Sequence, residues 1–202
     1  AVLMLIATYV FWAGRYKFVH IPPTGKAFLR QTFNREGLSA MGRLAILYAF
    51  VAIFWSLWDQ SGGEWVLQAE KMDRNLSLFG WNFELLSAQV QAVNAVMILS
   101  FIPLFQYVIY PAISRVFPLT PLRKIGLGLV VTGGSFLVSA WIETQIAAGL
   151  HPSIGWQLPA YALLSTGEVM VSITSLEFAY TQAPKHMKSV VMSLYLLSIS
   201  AG

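Results

Sequence analysis

The sequence predicts an all-α integral membrane protein, and three observations support this fold class. Hydrophobic residues make up 56% of the 202 residues, whereas charged residues make up only 11%. An average soluble domain has roughly 25% charged residues. The mean hydropathy is +0.62, and apolar runs of about 20 residues, the length that crosses a bilayer as a helix, recur along the chain. Soluble helices buried on all sides would need charged connecting faces, which this chain lacks.

The apolar runs define the expected elements. Complete spans are predicted at residues 43–61, 88–114, 123–149 and 157–182, with partial spans at 1–13 and 188–202. The chain opens without a methionine inside one run and stops inside another, so we expect a piece of a longer protein. Residues 14–42 form the expected cytoplasmic linker, in which residues 26–42 are compatible with an amphipathic surface helix or a plain connection. Residues 43–202 form the expected transmembrane bundle.

Basic residues orient these spans. Cytoplasmic loops of membrane proteins are enriched in Lys and Arg. Eleven of the 13 basic residues flank the first, third and fifth connections: Arg15, Lys17, Lys26, Arg30, Arg35, Arg43, Arg115, Arg123, Lys124, Lys185 and Lys188. We therefore expect those connections inside the cell, and the second (62–87) and fourth (around 151–156) outside. Because the basic residues are scattered over short loops, a nucleic-acid partner is not expected.

Two carboxylates inside the spans are candidate functional residues. Asp59 ends an uncharged apolar run that begins after Arg43, and Glu168 lies 11 residues beyond Gln157. That distance is about 16 Å along a helix, close to the bilayer midplane. A charge in such a place is costly unless it is paired or hydrated, so it usually marks a functional site. A structural salt bridge is the alternative for both residues.

Other polar and aromatic residues share the faces of these carboxylates. Trp55 precedes Asp59 by four residues, and Ser172 follows Glu168 by four, so each pair lies on one side of its helix. Asn94 lies about two turns into its own span from the outer side.

Several residues have a structural interpretation. Glu177 should form an ion pair between helices near Lys185 and Lys188, with substrate contact as the alternative, and Glu143 should reach the membrane surface. Trp58 and Trp65 are typical of the aromatic belt at a membrane interface, with a platform for a ligand as the alternative.

Helix-breaking and small residues are also informative. Pro103 and Pro111 should kink the span at 88–114, because proline removes a backbone donor. Gly128 and Thr132 lie one turn apart and permit close contact between helices.

No residue pattern indicates a cofactor, a metal site or an enzyme. His20, His151 and His186 stand in separate connections without metal-ligand spacing. A nucleophile elbow, a phosphate-binding glycine loop and a His-Glu-x-x-His pattern are lacking from the sequence.

The motifs resemble one known family. Residues 54–69 read FWSLWDQSGGEWVLQA, residues 91–94 read QAVN, and Gly167-Glu168 is followed at 176–189 by LEFAYTQAPKHMKS. In this order they are similar to the C-terminal half of the proton-dependent oligopeptide transporters, a family of the major facilitator superfamily. The resemblance implies that the chain runs from the end of the sixth helix to the start of the eleventh. An N-terminal bundle, outside this chain, would complete the protein.

The resemblance also implies a function. It is the symport of di- and tripeptides with protons by alternating access, in the cell membrane and specifically the bacterial inner membrane. Related transporters of nitrate, drugs or other organic solutes are the alternative. By resemblance, Glu168 and Asn94 receive the peptide amino terminus and Asp59 couples proton movement to the outer gate. Trp55 and Ser172 would line the same pocket, and Tyr195 stands where animal relatives have a tryptophan.

Overall fold

Helices dominate the computed structural model, which describes residues 2–14, 25, 30, 32–78, 81–183 and 187–202. The α-helices are α1 (Val2–Gly14), α2 (Arg35–Asp59), α3 (Glu64–Glu70), α4 (Gln89–Leu104), α5 (Tyr110–Ser114), α6 (Pro121–Ala147), α7 (Gln157–Glu168), α8 (Thr174–Gln182) and α9 (Lys188–Ala201). π-Helical segments at Phe105–Ile109 and Val169–Ile173 join α4 to α5 and α7 to α8. A short 3-10 helix at Ile154–Trp156 precedes α7.

Side-chain caps set where the long helices begin. Asn34 accepts a hydrogen bond from the Gly37 N–H at 2.7 Å, which satisfies one of the free donors at the start of α2. The helix therefore begins at residue 35 and not at 43, and residues 35–42 continue into it instead of forming a separate surface segment. Residues 26–29 and 31 lie outside the described residues. Thr120 caps α6 in the same way, through the Arg123 N–H at 3.4 Å.

Three helical stretches within the described residues are long and apolar enough to cross a bilayer: Arg35–Glu70, Ser87–Ser114 and Pro121–Ala147. The run from α7 to α8 is helical over the predicted span 157–182, but it is less apolar and is not among these three stretches. Its two glutamates, Glu168 and Glu177, and several hydroxyl residues account for the difference. The most polar of these helical runs is thus the one that carries Glu168.

The connection between α3 and α4 contains a β-hairpin that the all-α prediction did not include. β1 (Asn75–Leu78) pairs antiparallel with β2 (Trp81–Glu84). Just before it, the Asn75 N–H donates to the Asp73 carboxylate at 3.0 Å, which lowers the pKa of Asp73. The Asp73 backbone bonds to Pro152 and Ile154 at 3.0 and 2.8 Å. The second and fourth connections therefore meet at one end of the bundle, as the charge pattern predicts.

Buried side chains form two larger core clusters. The first core cluster contains Leu44, Leu47, Tyr48, Val51, Phe54, Ile125, Val171, Ala179, Ala183, Val191 and Tyr195. The second core cluster contains Trp65, Ala69, Val90, Ile154, Ala160, Tyr161 and Leu164. Trp58 is half-buried and packs against both clusters, so it lies where they meet.

Close contact between α6 and α7 depends on two glycines. A Cβ atom on Gly167 would overlap Thr132 Oγ1 and lie 3.0 Å from the Gly128 carbonyl oxygen. A Cβ atom on Gly128 would lie 2.7 Å from the Val171 side chain. The close approach predicted for Gly128 and Thr132 is confirmed, and it fixes α7 just before Glu168.

The two π-helical segments interrupt the regular helix geometry. Pro103 and Pro111 stand on either side of the first, where the Tyr110 N–H reaches the Phe105 carbonyl five residues back. A wide turn thus lies between the two prolines, and the predicted kink of the helix axis stays a prediction. The second segment separates Glu168 from Glu177. The rotation between these two glutamates is therefore not that of the straight α-helix assumed from the sequence.

Candidate functional site

A hydrogen-bonded group centred on Glu168 joins three helices. Glu168 Oε2 accepts from Trp58 Nε1 at 2.7 Å and from Asn94 Nδ2 at 3.2 Å. Asn94 Oδ1 in turn accepts from Ser165 Oγ at 2.5 Å. These side chains come from α2, α4 and α7, so the hydrogen bonds connect these three helices. The proximity of Glu168 and Asn94 agrees with the sequence prediction.

The electrostatics of this group are unbalanced. Asn94 and Ser165 are buried and Glu168 is half-buried. No described residue donates a hydrogen bond to Glu168 Oε1, and no described Lys, Arg or His forms an ion pair with this carboxylate. Neutral donors orient a carboxylate but do not neutralise it, and a half-buried negative charge strongly favours a cationic partner. The site can therefore receive a cation, in particular one that carries N–H donors.

The helix geometry explains how Glu168 is placed. It is the last residue of α7, directly after Gly167, whose lack of a side chain permits the contact with α6. The π-helical segment begins at the next residue. Such wide turns occur frequently at functional sites, where they reorient one side of a helix.

Trp55 lies beside this group. Its ring contacts the Trp58 ring edge-on at a centroid distance of 5.4 Å. Its indole Nε1 is buried and has no hydrogen-bond partner among the described residues. The predicted substrate residue Trp55 is thus adjacent to Trp58, with an unused donor.

Ser172 and Tyr195 form a separate contact. The Tyr195 hydroxyl donates to the Ser172 carbonyl oxygen at 3.1 Å, and the Tyr195 ring is only 3% exposed within the first core cluster. The Tyr195 ring also makes a T-shaped contact with the Tyr48 ring, at a centroid distance of 6.0 Å. In the described part of the chain no hydrogen bond joins either residue to Glu168. Their contact with substrate stays a prediction.

Asp59 is the last residue of α2, and its side chain is exposed. It forms no ion pair with a described residue. Its predicted role in coupling protons to the outer gate stays a prediction.

The interface interpretation of two tryptophans is wrong. Trp58 donates to Glu168, and Trp65 is 2% exposed, with its ring packed against Tyr161 at 5.0 Å. The missed signal for Trp58 was its position one turn after Trp55 and directly before Asp59. Its ring packs against both core clusters.

The other two glutamates have different surroundings. Glu143 accepts from Gln68 Nε2 at 3.0 Å and lies 3.8 Å from Lys71 Nζ, so it belongs to a polar contact between α3 and α6. Glu177 is exposed and does not pair with Lys188, whose ammonium lies 3.8 Å from the Tyr180 ring centre. The alternative partner, Lys185, lies outside the described residues.

Comparisons with known proteins agree with the motifs. The model of the POT family matches residues 30–202. The protein named Peptide transporter PTR2 of Saccharomyces cerevisiae is 32% identical over 171 residues, which cover 77% of this chain and 27% of that protein.

Solved structures match over nearly the whole chain. The POT family transporter PepTSo is 32% identical, with a TM-score of 0.74, and the match covers 98% of this chain and 53% of that one. An auto-inhibited POT family peptide transporter is 27% identical, with a TM-score of 0.77 and coverages of 99% and 52%. This chain therefore spans about half the length of the solved transporters.

Fold and comparisons together define the class of protein. The apolar helices and the structural matches are those of an integral membrane bundle of the major facilitator type. Within that class, this chain belongs to the POT family.

Proposed function

We propose that this chain is the C-terminal half of a proton-coupled symporter that carries di- and tripeptides by alternating access. The observation that carries the proposal is the environment of Glu168. Its Oε2 is held by two neutral donors, its Oε1 receives no donor, and no described basic residue balances its charge. The names of the relatives support the substrate class, although those names belong to longer proteins.

The chemistry of a short peptide fits this environment. A zwitterionic peptide has an ammonium group at one end and a carboxylate at the other. Glu168 Oε1 would accept a charge-assisted hydrogen bond from the ammonium, which is a strong interaction away from bulk water. Asn94 holds the other carboxylate oxygen at 3.2 Å. Cationic residues for the peptide carboxylate would come from the N-terminal bundle.

The remaining predicted residues have supporting roles in this proposal. Trp55 would present its unpartnered indole N–H to the peptide. Ser172 and Tyr195 would border the pocket from the side of the first core cluster. The location proposed is the cell membrane, specifically the bacterial inner membrane.

Proton coupling would depend on Asp59. A ligand shifts a conformational equilibrium only through interactions that differ between the two states. Asp59 is exposed at the C-terminal end of α2, where a basic residue of the N-terminal bundle could pair with it in one state and leave it in the other. Its protonation would then accompany opening of the gate.

A carrier of another organic solute is the alternative within the same family fold. A nitrate ion or another anion would meet a carboxylate that no described cation balances, so repulsion disfavours that alternative. A cationic or zwitterionic solute with a primary amine would fit Glu168 as well as a peptide does. Competition between such amines and a dipeptide would separate these substrates.

The test compares a dipeptide with its N-acetylated form, in the full-length transporter and its Glu168→Gln variant. Removing one charge from a desolvated ion pair typically costs about 2–5 kcal/mol. We expect wild type to prefer the free amino terminus and the variant to lose most of that preference. Glu177→Gln, an exposed carboxylate on the same helical run, is the matched control and should retain it. Equal preference in wild type and Glu168→Gln would remove Glu168 from amino-terminal recognition.

A further inference from the structure

We propose that Trp58 is a positioning residue that orients the Glu168 carboxylate toward the amino group of the substrate and makes this orientation depend on the end of α2. The inference rests on the proposed function, because it assigns the residue that sets the geometry of the same site. Trp58 acts here through Glu168 and not by contact with the substrate.

The hydrogen bonds to Glu168 show which donor dominates. The Trp58 bond is the shorter of the two, 2.7 Å against 3.2 Å for Asn94, and both reach the same oxygen. Hydrogen bonds to an ionised carboxylate are stronger than those between neutral groups. With Oε2 engaged twice, Oε1 is the oxygen left for a ligand. Loss of the Trp58 bond would free the carboxyl group to rotate and would weaken its hold on an ammonium group.

The two donors to Glu168 are connected to different helices. Asn94 is bonded both to Glu168 and to Ser165, which lie three residues apart, so it moves with α7. Trp58 instead belongs to the last turn of α2, and in the described part of the chain it is the donor from that helix to Glu168.

The last turn of α2 connects Trp58 to the candidate gate residue. The Trp58 carbonyl accepts from the Ser61 N–H at 3.0 Å, and the Asp59 carbonyl accepts from the Gly62 N–H at 3.1 Å. Glu168, by contrast, is fixed by the close glycine contact between α6 and α7. A tilt of the α2 end that follows a change at Asp59 would therefore shift the indole relative to the carboxylate. Trp58 thus adjoins Asp59 in the chain and contacts Glu168 through its side chain.

The experiment measures binding of a dipeptide and its N-acetylated form to the full-length transporter. The variants are Trp58→Phe, Glu168→Gln and the double variant. Trp58→Phe retains an aromatic ring but removes the N–H. We expect it to weaken binding of the free dipeptide about 10-fold or more, and to leave binding of the acetylated form unchanged. In the Glu168→Gln background, Trp58→Phe should have no further effect on the ratio of the affinities for the free and the acetylated dipeptide. Trp141→Phe is the matched control, because Trp141 contacts Trp156 and takes no part in the Glu168 group.

The same assay tests the connection to the end of α2. Asp59→Asn should shift the affinity for the free dipeptide when Trp58 is present and should not shift it in Trp58→Phe. An equal shift in both backgrounds would overturn this part of the inference.

The remaining outcomes separate the inference from the proposed function. A wild-type transporter that binds both forms of the dipeptide equally would refute amino-terminal recognition itself. Discrimination that survives unchanged in Trp58→Phe would refute only the positioning role, and so would an equal loss for both ligands, because that result indicates packing alone. If Trp58→Phe does not fold, incorporation of benzothienylalanine at position 58 retains the bicyclic ring and removes only the donor. The outcomes expected for Trp58→Phe then apply to this variant.

Discussion

Replacing Gly167 by alanine should separate α7 from α6 and disturb the Glu168 group. The added Cβ would overlap Thr132 Oγ1 and would lie 3.0 Å from the Gly128 carbonyl oxygen and 3.2 Å from Thr132 Cβ. Thr132 cannot turn away freely, because its hydroxyl donates to the Gly128 carbonyl at 2.9 Å. The helices must therefore move apart, and Glu168 moves with α7.

The magnitude follows from the crowding. Overpacking of a filled core typically costs about 1–3 kcal/mol, and two of the three contacts involve backbone or Cβ atoms that do not yield easily. Alanine gains about 0.5–1 kcal/mol over glycine within a helix. The net destabilisation should therefore be about 1–2 kcal/mol. Dipeptide affinity should fall as well, because a shift of Glu168 lengthens its bonds to Trp58 and Asn94.

Thermal unfolding and dipeptide binding of the purified transporter are the measurements. Gly133→Ala is the control, because it makes the same change within α6 where no atom lies within 4 Å of the new Cβ. Gly133→Ala should unfold at or above the wild-type temperature. If Gly167→Ala matched that control in both unfolding temperature and affinity, close packing of α6 and α7 would not be what positions Glu168.

Two further predictions concern the other candidate residues. Asp59→Asn should mimic a permanently protonated gate, so reconstituted vesicles should retain peptide counterflow at equal pH and lose concentrative uptake under an inward proton gradient. Concentrative uptake that survives would move the proton site to the N-terminal bundle. Tyr195→Trp enlarges a ring that is 3% exposed, and it should change uptake of Phe-Ala more than of Ala-Ala, by about 1–3 kcal/mol. Uniform changes for both dipeptides would assign Tyr195 to the core alone.

Features that follow from hydropathy and charge were predictable. The positions of the long helices and the meeting of the second and fourth connections follow from apolar runs and basic loops, because the bilayer imposes both patterns. The cost of a carboxylate near the bilayer midplane is what made Glu168 a candidate, and its function stays a prediction. Its proximity to Asn94 depended on the family resemblance, since no periodicity relates residues on separate helices.

Features that depend on contacts between helices could not be predicted. The bond from Trp58 to Glu168 requires the relative rotation of α2 and α7, which single-helix periodicity does not give. Interface tryptophans and buried tryptophans have the same local pattern, so Trp65 was also assigned wrongly. The burial of Tyr195 depends on how α9 packs against α2. The β-hairpin has short strands, whose signal was hidden by the surrounding charged residues.

The π-helical segment at Val169–Ile173 constrains the number of residues in the helical run from α7 to α8. Each π turn contains one residue more than an α turn allows, which corresponds to about 100° of rotation. A chain shortened by one residue within this segment could form an ordinary helix without losing any named side chain. Yet its second half would be turned away from its present neighbours, and Ala179, now completely buried, would leave the first core cluster. The spacing between Glu168 and α8 is therefore as much a constraint on the sequence as the identity of any residue in the site.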